Sequence, residues 1–292
     1  MLEKKIDNAI VYYIKPFTHS KEHFPMTSMP STSVSSSQIS PMDVIQHTHT
    51  VSFQHIDALH LLQQIPDSQV HLVLIDPPYV ISRNTGFQQG SNPDYDRLKV
   101  SMDFGTWDME FTEDALQQII IESFRILQDG GTFICFFDLF KITPLKNCME
   151  TAGFKQIRFL EWIKTNPVPL NQSVNYLTNA REIALLGVKK GKSTFHGKYD
   201  NGCYFFPIEH KKGRFHPTQK NLDLIKTLIT KHSNPQDIVV DCFSGSATTG
   251  VASIQTHRRF IGSELHPQYF SQAEQRLLDT QNQCRTTTLI PK

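Results

Sequence analysis

The chain has 292 residues, of which 39% are hydrophobic, and its formal net charge is only +1, so the composition predicts a folded globular protein and gives no whole-molecule sign of a polyanionic partner. No uninterrupted apolar run approaches the ~20 residues that cross a bilayer, and the amino terminus lacks the apolar stretch of a secretory signal, so we expect no membrane partner. The five cysteines are scattered without paired metal-ligand spacing, which favours free thiols in a reducing cytoplasm and no metal site.

Residues 1–48 are predicted to be an N-terminal extension that is largely a flexible linker. The stretch MTSMPSTSVSSSQISP, residues 26–41, is rich in Ser, Thr and Pro. Such a segment cannot bury enough apolar surface to offset its ordering entropy, so we expect residues 17–47 to be mobile. The preceding stretch NAIVYYIKPF has the composition of a strand, and the sequence leaves open whether it adds an edge strand or is simply an exposed apolar segment.

Strands and helices alternate from residue 50 onward, which predicts an α/β layered fold with a mainly parallel central sheet and helices on both faces. The strand-like runs are TVSFQHID, VHLVLI, TFICFF, QIRFLEWIK, REIALLGVK, DIVVD and RRFIGSE. The helical patterns are DALHLLQQI, the run that follows Thr112, and residues 141–152, 219–231, 246–256 and 267–280. Thr112 is expected to be a helix N-cap, and Gly130 with Gly131 to end that helix.

The stretch LIDPPYVIS, residues 74–82, ends a buried strand on an acid, two prolines and a tyrosine. Proline cannot donate to a sheet ladder, so the strand must stop at Asp76. Taken alone, Asp76 to Tyr79 reads as a stiff turn whose tyrosine packs on the surface. Ligands of parallel sheets bind beyond the carboxyl ends of the strands, however, so the same residues suit a rigid reactive tip.

A second strand end, DIVVD, runs into CFSGSATTG at residues 242–250. Small residues allow close approach of the backbone to a ligand, and the start of a helix offers free N–H groups. Glu264 follows roughly 20 residues later, at the spacing where an acid binds the ribose hydroxyls of a nucleoside cofactor. The alternative for Glu264 is a solvated acid at the start of a helix.

These motifs together resemble those of the amino-methyltransferases of DNA, which transfer a methyl group from S-adenosylmethionine to adenine N6 or cytosine N4. The family's catalytic motif, Asp/Asn/Ser-Pro-Pro-Tyr/Phe, is matched by Asp76, Pro77, Pro78 and Tyr79. Its cofactor motif, Asp-x-Phe-x-Gly-x-Gly, is matched by Asp241, Phe243 and Gly245, with Ala247 in place of the second glycine. HPTQK, residues 216–220, matches the segment before the cofactor strand, and Asn221 stands where the family often has proline.

The order of the motifs places the catalytic strand before the cofactor strand. This order resembles the permuted beta group of these enzymes, whose fold is the Rossmann-like, S-adenosylmethionine-dependent methyltransferase fold. MDFGTWD, residues 102–108, and WIKTNPVP, residues 162–169, also resemble segments of the modification enzymes of type IIS restriction systems. The resemblance divides the chain into a catalytic half at 49–186, a target-recognition insert at 187–215, a cofactor half at 216–281 and a C-terminal tail at 282–292.

The resemblance implies S-adenosyl-L-methionine as the cofactor and a direct, in-line methyl transfer to an amino group. Asp57 matches an acid that meets the cofactor's adenine. The residues implied to bind the cofactor are Asp57, Asp76, Thr218, Lys220, Asp241, Phe243, Ser244, Gly245, Ser246 and Glu264. The target base must be flipped out of the duplex. Asp76 and the Pro77 carbonyl would accept from its amino group, and Tyr79 would stack on it.

In the family that these motifs resemble, an aspartate at the first position of the catalytic motif favours adenine, so the resemblance implies site-specific methylation of adenine N6. A cytosine-N4 methyltransferase and a catalytically inactive DNA-binding relative are the alternatives. The resemblance also suggests a homodimer and a cognate restriction endonuclease as partners.

Contact with double-stranded DNA must be local, because the net charge is small. Residues 187–220 are basic, and we expect phosphate contacts there, although a solvated hairpin is the plainer interpretation. The loop at 80–110 is a second candidate that could close over the DNA. The predicted DNA-binding residues are Arg83, Asn84, Lys189, Lys190, Lys192, Lys198, Lys211, Lys212 and Arg214.

Overall fold

The computed structural model describes residues 3–6, 9–12, 35–46, 50–78, 112–167, 177–209 and 219–288. The chain divides into two compact units, residues 1–33 and 34–292. In the first unit, β1 (Glu3–Ile6) pairs antiparallel with β2 (Ala9–Tyr12). Residues 9–12 of the stretch NAIVYYIKPF therefore form one strand of a two-stranded sheet, and the rest of that stretch lies outside the described residues.

The second unit contains the other described helices and strands. They are a 3-10 helix (Ser36–Gln38), α1 (Pro41–Gln46), β3 (Val51–Gln54), α2 (Ala58–Gln63), β4 (Val70–Ile75), α3 (Glu113–Ile126), β5 (Leu127–Phe137), a 3-10 helix (Leu139–Lys141), α4 (Ile142–Ala152), β6 (Lys155–Lys164), β7 (Arg181–Val188), β8 (Cys203–Phe206), α5 (Leu222–His232), β9 (Ile238–Asp241), α6 (Thr248–Gln255), β10 (Arg259–Ser263) and α7 (Pro267–Thr288). None of the helices described is long and apolar enough to span a membrane.

One eight-stranded sheet runs through this unit in the order β3-β10-β9-β4-β5-β7-β6-β8. The first five strands are parallel to their neighbours, β7 is antiparallel to both β5 and β6, and β8 is parallel to β6. This confirms the predicted α/β layered fold with a mainly parallel sheet. The polarity reverses at β7, so β7 begins at the edge where its antiparallel neighbours β5 and β6 end.

The sheet is covered on both faces, as the apolar strand VHLVLI predicts. Val73 and Ile75 of β4 point into the cluster under α2, α3 and α4, whereas Leu72 and Leu74 point into the cluster under α5. Strands buried on both faces leave only their ends open to ligands. The carboxyl ends of β3, β10, β9 and β4 therefore form one accessible edge, which we call the carboxyl edge.

Residues 35–46 correct the prediction of a mobile segment from 17 to 47. Val44 is completely buried, and its carbonyl accepts a hydrogen bond from Arg259 Nη1 at 2.8 Å. Ser52 Oγ donates to the carbonyl of Ile39 at 2.5 Å, and Ser35 Oγ donates to Glu274 on α7. The segment is ordered because its few apolar residues pack on the main unit, and because donors from distant strands satisfy its backbone.

The helix after Thr112 ends earlier than predicted. Thr112 is confirmed as its N-cap, since its side chain accepts from the Ala115 N–H at 3.2 Å, but the helix stops at Ile126 rather than at Gly130 and Gly131. Both glycines lie inside β5. A Cβ at Gly130, whose φ is +82°, would lie 2.5 Å from the carbonyl oxygen of Lys192, so this glycine is required by a close backbone approach.

Candidate functional site

Four acids lie along the carboxyl edge. Asp76 follows β4, Asp241 ends β9, Glu264 follows β10, and Asp57 lies three residues beyond β3. The register brings them together: Gly262 pairs with Asp241, Val73 pairs with Val240, and the Glu264 N–H donates to the Gln54 carbonyl at 3.2 Å. The predicted catalytic tip and the predicted cofactor turn therefore share one edge on adjacent strands.

The turn after β9 is tied to β10. The Ser244 N–H donates to the Ser263 carbonyl at 3.0 Å, and Ser244 Oγ donates to the Asp241 carbonyl at 2.7 Å. A Cβ on Gly262 would come within 2.8 Å of Ser244 Oγ, so β10 needs a glycine for the turn to approach it. The backbone of Gly245 is left-handed, with φ at +51°, which a glycine adopts without steric cost.

The surroundings of Ala247 show how the fold accommodates an alanine where the family has its second glycine. It has a left-handed backbone, with φ at +54°, at the start of α6. That conformation costs an L-residue about 1–2 kcal/mol. The methyl group is completely buried beside Val251 and Phe260, and burial of one such group stabilises by about 0.8 kcal/mol. Packing therefore offsets part of the backbone strain.

Ser246 is held by a residue that the sequence analysis did not single out. Arg276 Nη1, on α7, donates to the Ser246 carbonyl at 2.8 Å and to Thr248 Oγ1 at 3.2 Å. The Ser246 hydroxyl lies 3.0 Å from Thr248 Oγ1 and is buried. Arg276 thus fixes the last part of the turn. No motif marks it, because it lies one helix away.

Glu264 is preorganised by backbone donors. Its Oε2 accepts from the Gly245 N–H and its Oε1 from the His266 N–H, both at 2.8 Å. Burial raises the pKa of Glu264 above its ordinary value. Burial also raises the pKa of Asp241 to about 7, and the negative charges of Asp76 and Glu264 contribute to the rise. This part of the edge is an acidic, desolvated cluster.

The acidic cluster fits S-adenosylmethionine. Burial is the main cause of the raised carboxylate pKa values, and the charges of Asp76 and Glu264 add to it at Asp241; a ligand carrying sulfonium and ammonium groups would favour the charged form of these acids. Each Glu264 oxygen already accepts one N–H but has capacity for a second donor, such as a ribose hydroxyl. Within the described residues, the buried Gln219 Oε1, next to Lys220 in the chain, and His266 Nδ1, two residues after Glu264, have no hydrogen-bond partner and could accept from or donate to a ligand.

Asp57 is the N-cap of α2. Its carboxylate accepts from the His60 N–H at 3.0 Å and pairs with His60 Nδ1. Burial raises the pKa of Asp57, but the contacts with His60 outweigh that effect and lower it overall. The side chain is 39% exposed, so it can reach a ligand at the edge while capping the helix. Its contact with the cofactor stays a prediction.

A buried lysine, Lys220, contacts the catalytic tip. Lys220 Nζ lies 2.5 Å from Asp76 Oδ2 and 2.9 Å from Glu182 Oε2. Lys164 Nζ lies 2.7 Å from the other oxygen of Glu182. Burial raises the pKa of Glu182, but the positive charges of Lys220 and Lys164 outweigh it and lower the pKa overall.

Sequence reasoning missed Glu182 and Lys164. Glu182 is the one acid in the described strand REIALLGV, and it is paired across the sheet with the buried Trp162. The sequence signal that could have identified Glu182 is its charge at a strand position whose side chain points into the protein. Tyr79, Arg83, Asn84 and Thr218 lie outside the described residues.

Asn221 explains the missing proline after HPTQK. Its side chain accepts from the Leu224 N–H at 2.9 Å and caps α5. The backbone N–H of Leu222 donates to Glu209 Oε1 at 2.9 Å. The helix N-cap therefore follows Lys220 directly, and the bonds of Asn221 and Glu209 to the first turn of α5 fix the direction in which that lysine enters the site.

The prediction that Lys189 binds DNA is wrong. Its side chain is buried, and Nζ donates to the carbonyls of Leu127 at 2.6 Å and Arg125 at 3.0 Å. Burial lowers its pKa, and the ammonium also lies 5.0 Å from the centre of the Phe124 ring. The charge stabilises the fold rather than a phosphate contact.

The other predicted DNA-binding residues that the structure describes, Lys190, Lys192 and Lys198, also lie away from the acids of the carboxyl edge. Val188 pairs with Thr132 and Ile183 with Phe137, so Lys190 and Lys192 follow β7 at the amino edge of the sheet. Lys198 lies between His196, whose N–H donates to the Lys231 carbonyl, and Asp200, which pairs with the Lys231 side chain. These contacts place it at the end of α5, on the amino edge. Lys211, Lys212 and Arg214 lie outside the described residues.

The chain is similar to proteins of known activity. A family model described as DNA methylase matches residues 70–275, more than half of the chain. The Type II methyltransferase M2.LlaDCHI of Lactococcus lactis subsp. cremoris is 29% identical over 242 residues, covering 76% of this chain and 87% of that protein. The DNA adenine methyltransferase YhdJ of Escherichia coli strain K12 is 28% identical, covering 76% and 81%.

Solved structures agree. The M1.HpyAVI–SAM complex is 28% identical and superposes with a TM-score of 0.57, covering 77% of this chain and 98% of the other. The cytosine-N4-specific PvuII DNA methyltransferase, at 18% identity and a TM-score of 0.58, covers 80% and 91% and shares the fold.

Proposed function

This chain belongs to the N6/N4 DNA methylase family and is an S-adenosylmethionine-dependent DNA methyltransferase; from that premise we propose that it methylates the exocyclic N6 of adenine within a short recognition sequence. The observation that carries the proposal is the shared carboxyl edge. Asp76 on β4 and the Gly245–Glu264 turn beside β9 stand on adjacent strands. The relative named as an adenine methyltransferase supports the choice of base.

The cofactor would be held by the acidic cluster and the turn. Asp241 and Glu264 supply carboxylates, Phe243 to Ser246 supply a close backbone, and Asp57 lies at the neighbouring strand end. When bound, S-adenosylmethionine supplies an electrophilic methyl group on a positively charged sulfur. The desolvated acids favour that charge over neutral ligands.

Asp76 holds the amino group that receives the methyl group. An exocyclic amino nitrogen is a weak nucleophile because its lone pair is delocalised into the ring. A carboxylate that accepts one N–H, with the Pro77 carbonyl as a second acceptor, directs the lone pair outward and stabilises the positive charge that develops on nitrogen. Pro77 and Pro78 keep both acceptors in place before the base arrives.

Methyl transfer can be tested directly on DNA. We expect mixed-sequence duplex DNA, incubated with the protein and methyl-labelled S-adenosylmethionine, to yield labelled N6-methyl-deoxyadenosine after digestion to nucleosides. Label in N4-methyl-deoxycytidine would show that the target base is cytosine and not adenine. DNA without label would refute the methyltransferase activity. Asp76→Ala should lower kcat by at least about 10²-fold while cofactor binding is largely retained.

We also propose two protein partners and a location. Phe159 on β6 and Phe205 on the edge strand β8 are exposed and offer an apolar surface that a second copy of the chain could cover. A restriction endonuclease with the same recognition sequence fits the Type II methyltransferase names of the relatives. A cytoplasmic location fits an enzyme that acts on DNA.

A further inference from the structure

Four charged side chains form one row behind the catalytic tip. Asp76, Lys220, Glu182 and Lys164 alternate in charge, and successive partners are separated by 2.5, 2.9 and 2.7 Å. The most exposed of these side chains, Glu182, is 24% exposed. Buried ion pairs seldom add net stability over apolar packing, because the desolvation of the charges cancels their attraction. A row of four such charges at a reactive site therefore calls for a functional explanation.

The ammonium of Lys220 is held on three sides. Asp76 and Glu182 approach it as anions, and the ring centre of Phe136 lies 5.1 Å from Nζ. Burial alone would lower the pKa of Lys220, but the two carboxylates raise it above its ordinary value, so the group stays protonated. These contacts hold the Lys220 ammonium in one position, and the ammonium in turn holds the Asp76 oxygen that it binds.

We propose that Lys220 is a positioning residue for Asp76, and that Glu182, held in turn by Lys164, fixes Lys220. This assignment rests on the proposed role of Asp76 and replaces the cofactor contact predicted for Lys220. With Oδ2 bound to Lys220, the carboxylate cannot rotate freely, so the acceptor presented to the target amino group is fixed.

Glu182 has an electrostatic role as well. A lone ammonium at 2.5 Å would neutralise much of the negative charge of Asp76. That charge is needed where positive charge develops on the target nitrogen. Because Lys220 is shared with Glu182, the carboxylate keeps more of its negative potential. The position and the charge of Asp76 thus both depend on a residue that touches neither the base nor the cofactor.

The test is Glu182→Gln in the full chain, which keeps the shape and removes the charge. We expect kcat to fall by about tenfold to a hundredfold, as for a small misplacement of a reacting group. The KM values for DNA and cofactor, and the equilibrium binding of S-adenosylmethionine, should stay unchanged. Unchanged kcat would overturn the proposal, and so would weakened cofactor binding that accounts for the whole loss, because the row would then serve the cofactor.

Glu161→Gln is the matched control. Glu161 lies on the neighbouring strand β6, pairs with Arg181 at 3.8 Å, and faces the other side of the sheet because it is paired with Ile183. The same change of charge there should leave kcat at the wild-type value. An equal loss in this control would mean that any carboxylate in these strands has the effect, which contradicts a specific row.

The order of the row is tested with Lys164→Gln and the double variant. Lys164 acts through Glu182, so Lys164→Gln should lower kcat on its own but add no further loss to Glu182→Gln. If the losses in kcat of the two single variants multiply in the double variant, Lys164 does not act through Glu182 and the proposed order of the row is wrong. If circular dichroism shows that Glu182→Gln is unfolded, Lys164→Gln alone must show reduced kcat with unchanged cofactor binding. A wild-type protein without DNA methylation would refute the proposed function itself, whereas an active wild type with unaffected variants refutes only this proposal.

Discussion

Asp241 illustrates how a single residue at the edge trades stability for ligand binding. Its carboxyl is buried, and its pKa rises from 3.8 to about 7 on folding. Between these two pH values the folded chain binds more protons than the unfolded chain, so stability falls as pH rises. The stability from the protonated carboxyl is fully present below pH 3.8 and is lost as pH rises through about 7. The effect is on the order of a few kcal/mol.

Asp241→Asn should remove this pH dependence. The amide keeps an acceptor for the Phe243 N–H, which donates to Asp241 Oδ1 at 3.0 Å, and it carries no charge. We expect the free energy of unfolding of the cofactor-free protein at pH 8 to rise by about 1–3 kcal/mol, with little change near pH 4. Urea denaturation at several pH values measures this, and cofactor affinity should fall.

Asp279→Asn serves as the comparison for that experiment. Asp279 is exposed on α7 and bonds to Gln275. Its removal should leave the pH dependence of unfolding unaltered. Equal slopes for wild type and Asp241→Asn would show that Asp241 does not titrate near pH 7 in the folded chain.

At the scale of the elements, the cap of α5 controls the direction in which Lys220 enters the site. Asn221→Ala removes the acceptor for the Leu224 N–H, so we expect a loss of about 1 kcal/mol in the free energy of unfolding. Asn221→Ser keeps a side-chain acceptor at this buried position without adding a charge, so it should be nearly neutral. Chemical denaturation compares the two, and equal losses would show that the cap bond is not the cause.

Most elements after residue 50 were predictable because their signals are local. β4, β5 and β9 are apolar runs, and the caps and glycines that bound them lie within a few residues. The failures involve partners that are distant in sequence. Lys189 Nζ donates to a carbonyl 64 residues away, and the order of residues 35–46 depends on Arg259.

The site could be predicted in part for the same reason. Short motifs located Asp76, Gly245 and Glu264, and the parallel sheet brought them together as expected. The Lys220–Asp76 pair joins residues 144 positions apart, and Glu182 reaches Lys220 from β7, so spacing alone could not connect the three residues. The family motif pointed to Lys220, but only the fold shows which groups surround it.

Across the whole molecule, the acids of the candidate site and two of the predicted DNA-binding lysines lie at opposite edges of the sheet. The carboxyl edge has the acids, whereas Lys190 and Lys192 follow β7 at the amino edge. The eight residues of β7 separate the edges by roughly 25 Å. DNA engaged at the acids therefore does not require contacts at Lys190 or Lys192.

Salt dependence distinguishes the two groups of lysines. In the double variant Lys190→Gln and Lys192→Gln, the slope of log affinity for DNA against log salt concentration should equal that of wild type. Lys211→Gln, from the basic segment outside the described residues, should reduce the slope by about 0.9 if it contacts one phosphate. A reduced slope for the double variant would place DNA on the amino edge.

The contact between Ser35 and Glu274 brings the start of the methyltransferase unit against its last helix. Thr50 and Gln281 touch in the same region, at 3.1 Å. A linker running back along the final turns of α7 could therefore join the two and make a closed loop of backbone. Cutting that closed loop between the exposed Pro235 and Gln236 would keep every strand beside its present neighbours in the sheet. In the sequence of the permuted chain, however, the cofactor turn would precede the catalytic tip. The order of the two motifs in the sequence therefore depends only on where the closed chain is cut. The positions of the site residues at the carboxyl edge do not depend on that order.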